Sequence, residues 1–469
     1  MAESYREKSG KPAKLMGPVT VTTSPKQTTD PILWREKNAF FWANAASVPV
    51  MATVNSFLLI FYTDVVGLNP AAVGTLFLIA RILDGLSDPI VGYVVDHLPY
   101  TRWGRFRPYL VLASLVCALN FVLLWLGPSM APSGKLLIAY ITYLALGITF
   151  PFMDLPLGAL LPAMTADSAE RNSISGIKGI AFLLVYTAVS ALTIPLVNRF
   201  ESPVEGWQTT MIIYAILIVI ITALGTWGVK ERVLPKRDER YAFRDLYTIL
   251  FNTRPLGVIL LSTIAVNIGV GLSGGTAIFY YTYNLGNVDY FSLSGIVTLP
   301  AVLLGVVIFH TFGNRFEKRN FMVLLLGLAA AGVGMRSFLP YTSLFWIMVS
   351  VFISAVGTGG AIPLIFSMIG DSVDYTEWKH GYRAEGAVAA VQTFTQKTGL
   401  GLGGAIPGYV LAFTGYRANV EQTDLALYGI LLTTTTIPFA FYLLSALIFR
   451  AYPVDSAMLA RIKHELASD

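Results

Sequence analysis

Residues 108–128, PYLVLASLVCALNFVLLWLGP, contain no acidic or basic side chain. As a helix rising 1.5 Å per residue, such a run spans about 30 Å, the thickness of a bilayer's hydrocarbon core. It follows directly on the basic string RWGRFRP (102–108), so Arg102, Arg105 and Arg107 mark one end of the span. Reading outward, eleven more apolar stretches recur at 38–63, 71–95, 136–160, 174–198, 208–229, 256–283, 290–312, 321–340, 344–370, 385–413 and 426–449. A charged segment, Lys230 to Arg254, separates the sixth span from the seventh. The expectation is an all-α membrane protein with twelve transmembrane helices in two six-helix bundles. Its divisions are a disordered N-terminal tail (1–35), a first bundle (36–229), a linker (230–254), a second bundle (255–450) and a C-terminal tail (451–469).

Composition agrees. The 469 residues are 55% hydrophobic and 13% charged, where a soluble domain carries about 25% charge. Mean hydropathy is +0.62. That much apolar surface needs lipid as its solvent, which excludes a soluble solenoid, a disordered chain and a disulfide scaffold. The single cysteine, Cys117, lies in the opening run and reads as a packing residue. Residues 1–35 lack the continuous apolar core of a signal peptide.

Lys and Arg gather on one side: Arg102, Arg105, Arg107, Arg171, Arg315, Lys318, Arg319, Lys379, Arg383 and the linker. Opposite loops hold little beyond Lys135, Arg199 and Arg417. By the positive-inside rule the basic side is cytoplasmic, with both termini there and the chain multi-pass in the bacterial inner membrane. The net charge of +5 is then topology, and no nucleic-acid partner is expected. The surroundings are membrane lipids and the working unit a monomer. The halves also resemble each other: FYTD (61–64) ends the first span and FYYTY (279–283) the seventh. Parallel six-plus-six duplication is a transporter architecture, with its substrate site near the midplane between halves.

Charge inside a span costs about 2.5–3.5 kcal/mol on insertion scales, so each case is a functional hypothesis. Asp84 and Asp88 are four residues apart on one face of the second span, with Arg81 three before Asp84. These carboxylates and the Ser87 hydroxyl offer hard oxygen ligands to a small cation. Alternatively, repulsion and burial make one acid bind a proton. A purely structural network with Arg81 is the plain alternative, but one Arg does not neutralise two acids. Asp154 lies in the fourth span, and Lys178 in the fifth, where snorkelling to the interface would equally explain it. In the eleventh span, Gln392, Thr393 and Gln396 can hydrogen-bond a polyhydroxylated ligand. Lys397 needs a carboxylate, for which Asp84, Asp88 or Asp154 would serve. The glycines that follow (Gly399, Gly401, Gly403, Gly404) equally suit a helix interface.

Two basic-side clusters suggest a gate: Asp96 with Arg102 and Arg105, and Asp371, Asp374 and Glu377 with Lys379 and Arg383. Solvated counter-charges to the positive-inside anchors are the bland alternative. The histidines (His97, His310, His380, His464) have no metal spacing. With no phosphate-cradling loop, serine elbow or HExxH helix, the chain is expected to be neither an enzyme nor the holder of a resident cofactor. Transport must draw on an ion gradient or run downhill.

The strings FYTDVVGL (61–68), DGLSDPIVGYVVD (84–96), RWGRFRP (102–108), LPLGALLPAMTAD (155–167) and DSVDYTEWKHGYRAEG (371–386) carry a resemblance. Together they resemble the glycoside–pentoside–hexuronide:cation symporters (melibiose permease-like) of the major facilitator superfamily, over about residues 36–450. The resemblance implies that Asp84 and Asp88 bind the coupling cation and that Asp154 touches both cation and sugar. It implies that Lys397 bridges to those acids, with Gln392 and Thr393 facing sugar and Lys178 beside them. There are departures: no acid stands between Asn44 and Pro49, Gly158 and Ile362 replace sugar-stacking tryptophans, and Pro151 replaces a cation-binding threonine. The coupling ion is therefore left open between H⁺ and Na⁺, with Asp84 and Asp88 as metal ligands only for Na⁺. Retained lysines beside a missing acid suit an acidic sugar such as a hexuronide. The expected function is import of a sugar or glycoside by alternating access; the rival is a related carrier of lysolipids or other amphiphiles.

Overall fold

The computed structural model describes residues 32–96, 99, 101, 103–130, 133–165, 168–232, 254–313, 315–380 and 385–468. The N-terminal tail to residue 31 and most of the linker lie outside them, as do His97, Arg102 and Arg383. The chain is helical almost throughout. The first helices are α1 (Trp34–Val65), α2 (Pro70–Asp96), α3 (Arg107–Met130), α4 (Lys135–Met164), α5 (Ser168–Val197) and α6 (Pro203–Gly228). After the linker come α7 (Arg254–Asn284), α8 (Asp289–Phe312), α9 (Lys318–Phe338), α10 (Leu344–His380), α11 (Glu385–Phe413) and α12 (Asp424–Phe449). A short α13 (Ser456–Ser468) follows within the segment read as a tail.

Among the described residues, ten of these helices are long and apolar enough to cross a membrane. The two other long ones, α2 and α11, hold the Arg81–Asp88 and Gln392–Lys397 segments. Elsewhere the exterior is what lipid solvates: Leu112, Leu115, Leu119 and Leu123 stand exposed along α3. Several ends differ from the sequence expectation. α5 begins at Ser168, and α10 continues to His380, so the string DSVDYTEWKH is helix where a loop had been expected. It holds no glycine or proline to break the helix; the next glycine in the chain is Gly381.

The packing is duplicated. In the first half α1 packs on α5 and α6, α2 on α4, and α3 on α4 and α6; in the second, α7 packs on α11 and α12, α8 on α10, and α9 on α10 and α12. The halves meet along α1–α7, α2–α11 and α5–α8, a set that maps onto itself when the halves are exchanged. A pseudo-twofold axis therefore passes between α1 and α7. Both helices end alike, in π-helical turns Phe61–Val65 and Tyr280–Asn284. Left-handed glycines follow, Gly67 (φ +80°) and Gly286 (φ +73°). Matching bonds close the turns, Leu68 N–H to Tyr62 O at 2.8 Å and Asn287 N–H to Tyr281 O at 3.0 Å.

Candidate functional site

Where the halves meet, α1, α2, α4, α5, α7 and α11 enclose a cavity of about 50 Å³. Arg81, Asn55, Tyr143 and Tyr186 give it polar walls, and Gly271, Gly274, Gly275, Gly401 and Gly404 a smooth one.

The charged centre lies beside it. The Arg81 guanidinium pairs with Asp84, Nη1 to Oδ2 at 3.0 Å, and both side chains are largely buried. Tyr143 of α4 directs its hydroxyl at this pair. Two glycines make the space: a Cβ on Gly147 of α4 would collide with Asp84 Oδ1, and one on Gly401 of α11 with the Arg81 side chain. Arg81 thus lies in a notch of a helix from the other half. α11 is notched on both sides, because Gly399 and Gly403 abut Asn267 and Gly271 of α7.

The other residues singled out from sequence lie on α2, α4, α5 and α11. The Ser87 hydroxyl donates to the Asp84 carbonyl at 3.3 Å. Asp88 is on α2 one turn beyond Asp84; its side chain is outside the described set. Asp154 of α4 is half-buried and near Cys117 of α3. Lys178 of α5 and Lys397 of α11 are also half-buried. Among the described residues neither Asp154 nor Lys178 has an ion-pair partner within 4 Å. On α11 the amides divide: Gln392 is buried with its Oε1 unpartnered, whereas Thr393 and Gln396 are exposed.

At the basic end, Asp371 binds Lys318 of α9 at 2.6 Å, and Ser367 shares that ammonium. This partner was read from sequence as a topology marker only. Arg105 donates to the Val95 carbonyl at 3.2 Å and lies over the Phe106 ring. Asp374 and Glu377 are half-buried on α10, and Asp96 ends α2 with its side chain outside the described set. Sequence reasoning passed over Glu231, whose carboxylate accepts the backbone N–H groups of Arg105, Phe106 and Arg107 at 2.7, 2.9 and 3.3 Å. It also passed over buried Glu36, which pairs with Arg232 at 2.8 Å. Asn55 and the Ser56–Tyr186 hydroxyl pair (3.3 Å) escaped it too, since neutral polar groups leave no mark in a count of charges.

A cavity with a charged group in its wall, set between two duplicated helical halves, points to the class: a membrane transporter. Residues 40–456 match the family model described as MFS/sugar transport protein. An uncharacterised symporter of Bacillus subtilis (strain 168), YnaJ, is 35% identical over 92% of this chain and 94% of its own. An isoprimeverose transporter of Lactiplantibacillus pentosus is 31% identical, covering 93% and 92%. A glucuronide carrier protein homologue of Escherichia coli (strain K12) is 28% identical, covering 92% and 95%. Among solved structures, a mutant form of the nucleoside transporter NupG superposes with a TM-score of 0.63 at 14% identity, over 89% of this chain and 99% of that one; this likeness bears on the fold alone. The chain belongs to the glycoside–pentoside–hexuronide symporter family of the major facilitator superfamily.

Proposed function

We propose that the protein imports a glycoside, pentoside or acidic sugar together with H⁺ or Na⁺ by alternating access. The observation that carries this is the Arg81–Asp84 pair seated against Gly401, an ionisable centre at the junction of both halves. In this reading all twelve helices α1–α12 span the membrane as two bundles, 36–229 and 255–450, joined by the 230–254 linker. The basic end faces the cytoplasm of the bacterial cell and the opposite end is outer. One chain suffices.

Asp84 and Asp88, with Ser87, hold the cation, and Asp154 couples it to substrate. Thr393 and Gln396, which are exposed, meet the sugar hydroxyls, and Gln392 supports them from its buried position. Lys397 balances the acids when they are empty. Lys178, with no carboxylate partner among the described residues, favours a substrate that brings its own negative charge, as a hexuronide does. An amphiphile carrier would want an apolar central cavity; Arg81, Asn55, Tyr143 and Tyr186 argue against it.

Coupling requires that carriers loaded with both ligands, or with neither, reorient more readily than singly loaded ones. Purified protein in liposomes should accumulate one member of a panel of neutral and acidic glycosides under either an H⁺ or a Na⁺ gradient. Asp88→Asn should abolish that accumulation while sparing folding and substrate exchange. Undiminished gradient-driven accumulation in this variant would sink the assignment.

A further inference from the structure

Outside the central site, a polar cluster joining the halves is centred on Asp64, in the π-helical last turn of α1. Its Oδ1 accepts the hydroxyls of Thr63 and of Tyr416, both at 2.6 Å. Its Oδ2 accepts a short hydrogen bond from Tyr283, in the matching turn of α7. The Asp64 carbonyl accepts the Asn419 side-chain amide at 2.6 Å, and the Asn419 backbone N–H reaches the Tyr283 hydroxyl at 3.2 Å. Tyr416 and Asn419 lie in the loop between α11 and α12. Asn419 has φ +56°, a conformation that L residues other than Asn and Asp rarely adopt and that these bonds help hold.

The position follows from the duplication. Asp64 and Tyr283 are 219 residues apart, the same offset that relates the two π-helical turns and the two left-handed glycines. They are equivalent residues of the two halves, and equivalent residues beside a twofold axis must meet. One is an acceptor and the other a donor. Packed around them, the rings of Phe279 and Tyr283 flank that of Tyr416 at 5.5 and 5.4 Å, and Phe57 of α1 meets Phe291 of α8 at 5.1 Å.

We infer that Asp64, with Tyr283, Tyr416 and Asn419, is the latch of the outer gate: it positions the halves closed at that end and must part before substrate enters. This rests on the alternating-access reading above. The hydrogen bonds engaging the Asp64 carboxylate come from neutral hydroxyls, so separation at the outer surface returns each group to water with no ion pair to break. Two bonds to a carboxylate then bias a two-state equilibrium without freezing it.

The test uses a reporter thiol. In a Cys117→Ala background, Val270→Cys puts the one thiol on the cavity wall, and a membrane-impermeant maleimide is added outside right-side-out vesicles. Asp64→Asn and the Tyr283→Phe/Tyr416→Phe double variant, each of which weakens both bonds between the halves, should label well over tenfold faster than their parent, since loss of one hydrogen bond to a charged group is itself worth about tenfold. Tyr416→Phe alone, which removes one hydroxyl, should give an intermediate rate and serves if Asp64→Asn does not fold. Labelling within twofold of the parent in monodisperse, folded variants overturns the latch, and so does a fall in melting temperature with no change in labelling. Counterflow of glycosides in the same vesicles reports separately on the transport reading: a parent inactive with every glycoside would defeat that reading while the labelling still decides whether the latch closes this end.

Discussion

Gly147 and Gly401 do as much to place the charged centre as the charges themselves. Each occupies a position where a single methyl group would overlap Asp84 or Arg81. Gly401→Ala must push Arg81 off its notch or part α11 from α2, at a cost of about 1–3 kcal/mol for overpacking. We expect the variant to fold, to melt a few degrees lower, and to lose about tenfold or more in cation-driven uptake, because the displaced guanidinium no longer sets the charge beside the proposed cation site. Uptake rates in liposomes at matched protein content check this; normal coupling in a folded Gly401→Ala would show that the notch is incidental. The acids were legible in the sequence because charge in an apolar helix is costly wherever it occurs. Their glycine seats were not, since a glycine in α11 declares nothing about which neighbour it faces. Asp64 illustrates the same boundary: it was visible as the end of a span, but its partners lie 219 and 352 residues away.

At the scale of elements, apolar periods located the helices well and their ends less well. Spans were read from hydropathy, whereas helices continue past the lipid until something breaks them; hence α10 running to His380. The linker shows what a charge count misses. Read as a basic connector, its first residues belong to the first half: Arg232 N–H bonds the Ala163 carbonyl at 2.7 Å, and Glu231 sits on the start of α3. The first N–H groups of a helix have no partner within it, and a carboxylate there satisfies them and opposes the helix dipole. Gly104 (φ +111°) turns the RWGRFRP string so that Glu231 can reach, and a Cβ there would stand 2.6 Å from its Oε1. Glu231→Ala should therefore destabilise the protein by about 1–2 kcal/mol, the cost of losing a helix cap, with Glu231→Gln retaining part of the effect. Thermal unfolding in detergent measures both, and an unchanged melting temperature for Glu231→Ala would mean that the carboxylate is dispensable to α3.

For the whole molecule, the decisive geometry is where the halves touch. Among the described residues, the contacts across the junction include Asn55 O against Gly275, Ala191 against Gly295, and Gly74 against Gly408 and the Ala405 carbonyl, toward the ends proposed to face outward, and Arg81 against Gly401 nearer the middle. The duplication was legible from the chain, but not which residues meet at the junction, since that pairing is set by three-dimensional packing and leaves no local mark in the sequence. The α2–α11 crossing is close because it is built of glycine; a Cβ on Gly408 would lie 2.8 Å from the Gly74 Cα and overlap the Pro70 carbonyl. Gly408→Val therefore acts as a wedge. It penalises the outer-closed arrangement and leaves an outer-open one, in which α2 and α11 have separated there, nearly untouched. A ligand's apparent affinity scales with the fraction of protein in the competent state. Binding from the outer side should accordingly tighten, by up to the factor by which that state was scarce, while counterflow slows because return to the outer-closed state now costs more. A simple folding defect lowers the number of sites and leaves affinity alone. Titration of substrate protection against thiol labelling from the outer side, set beside counterflow in the same vesicles, separates the two; unchanged outer affinity with normal counterflow would show that the crossing does not part at Gly408 during transport.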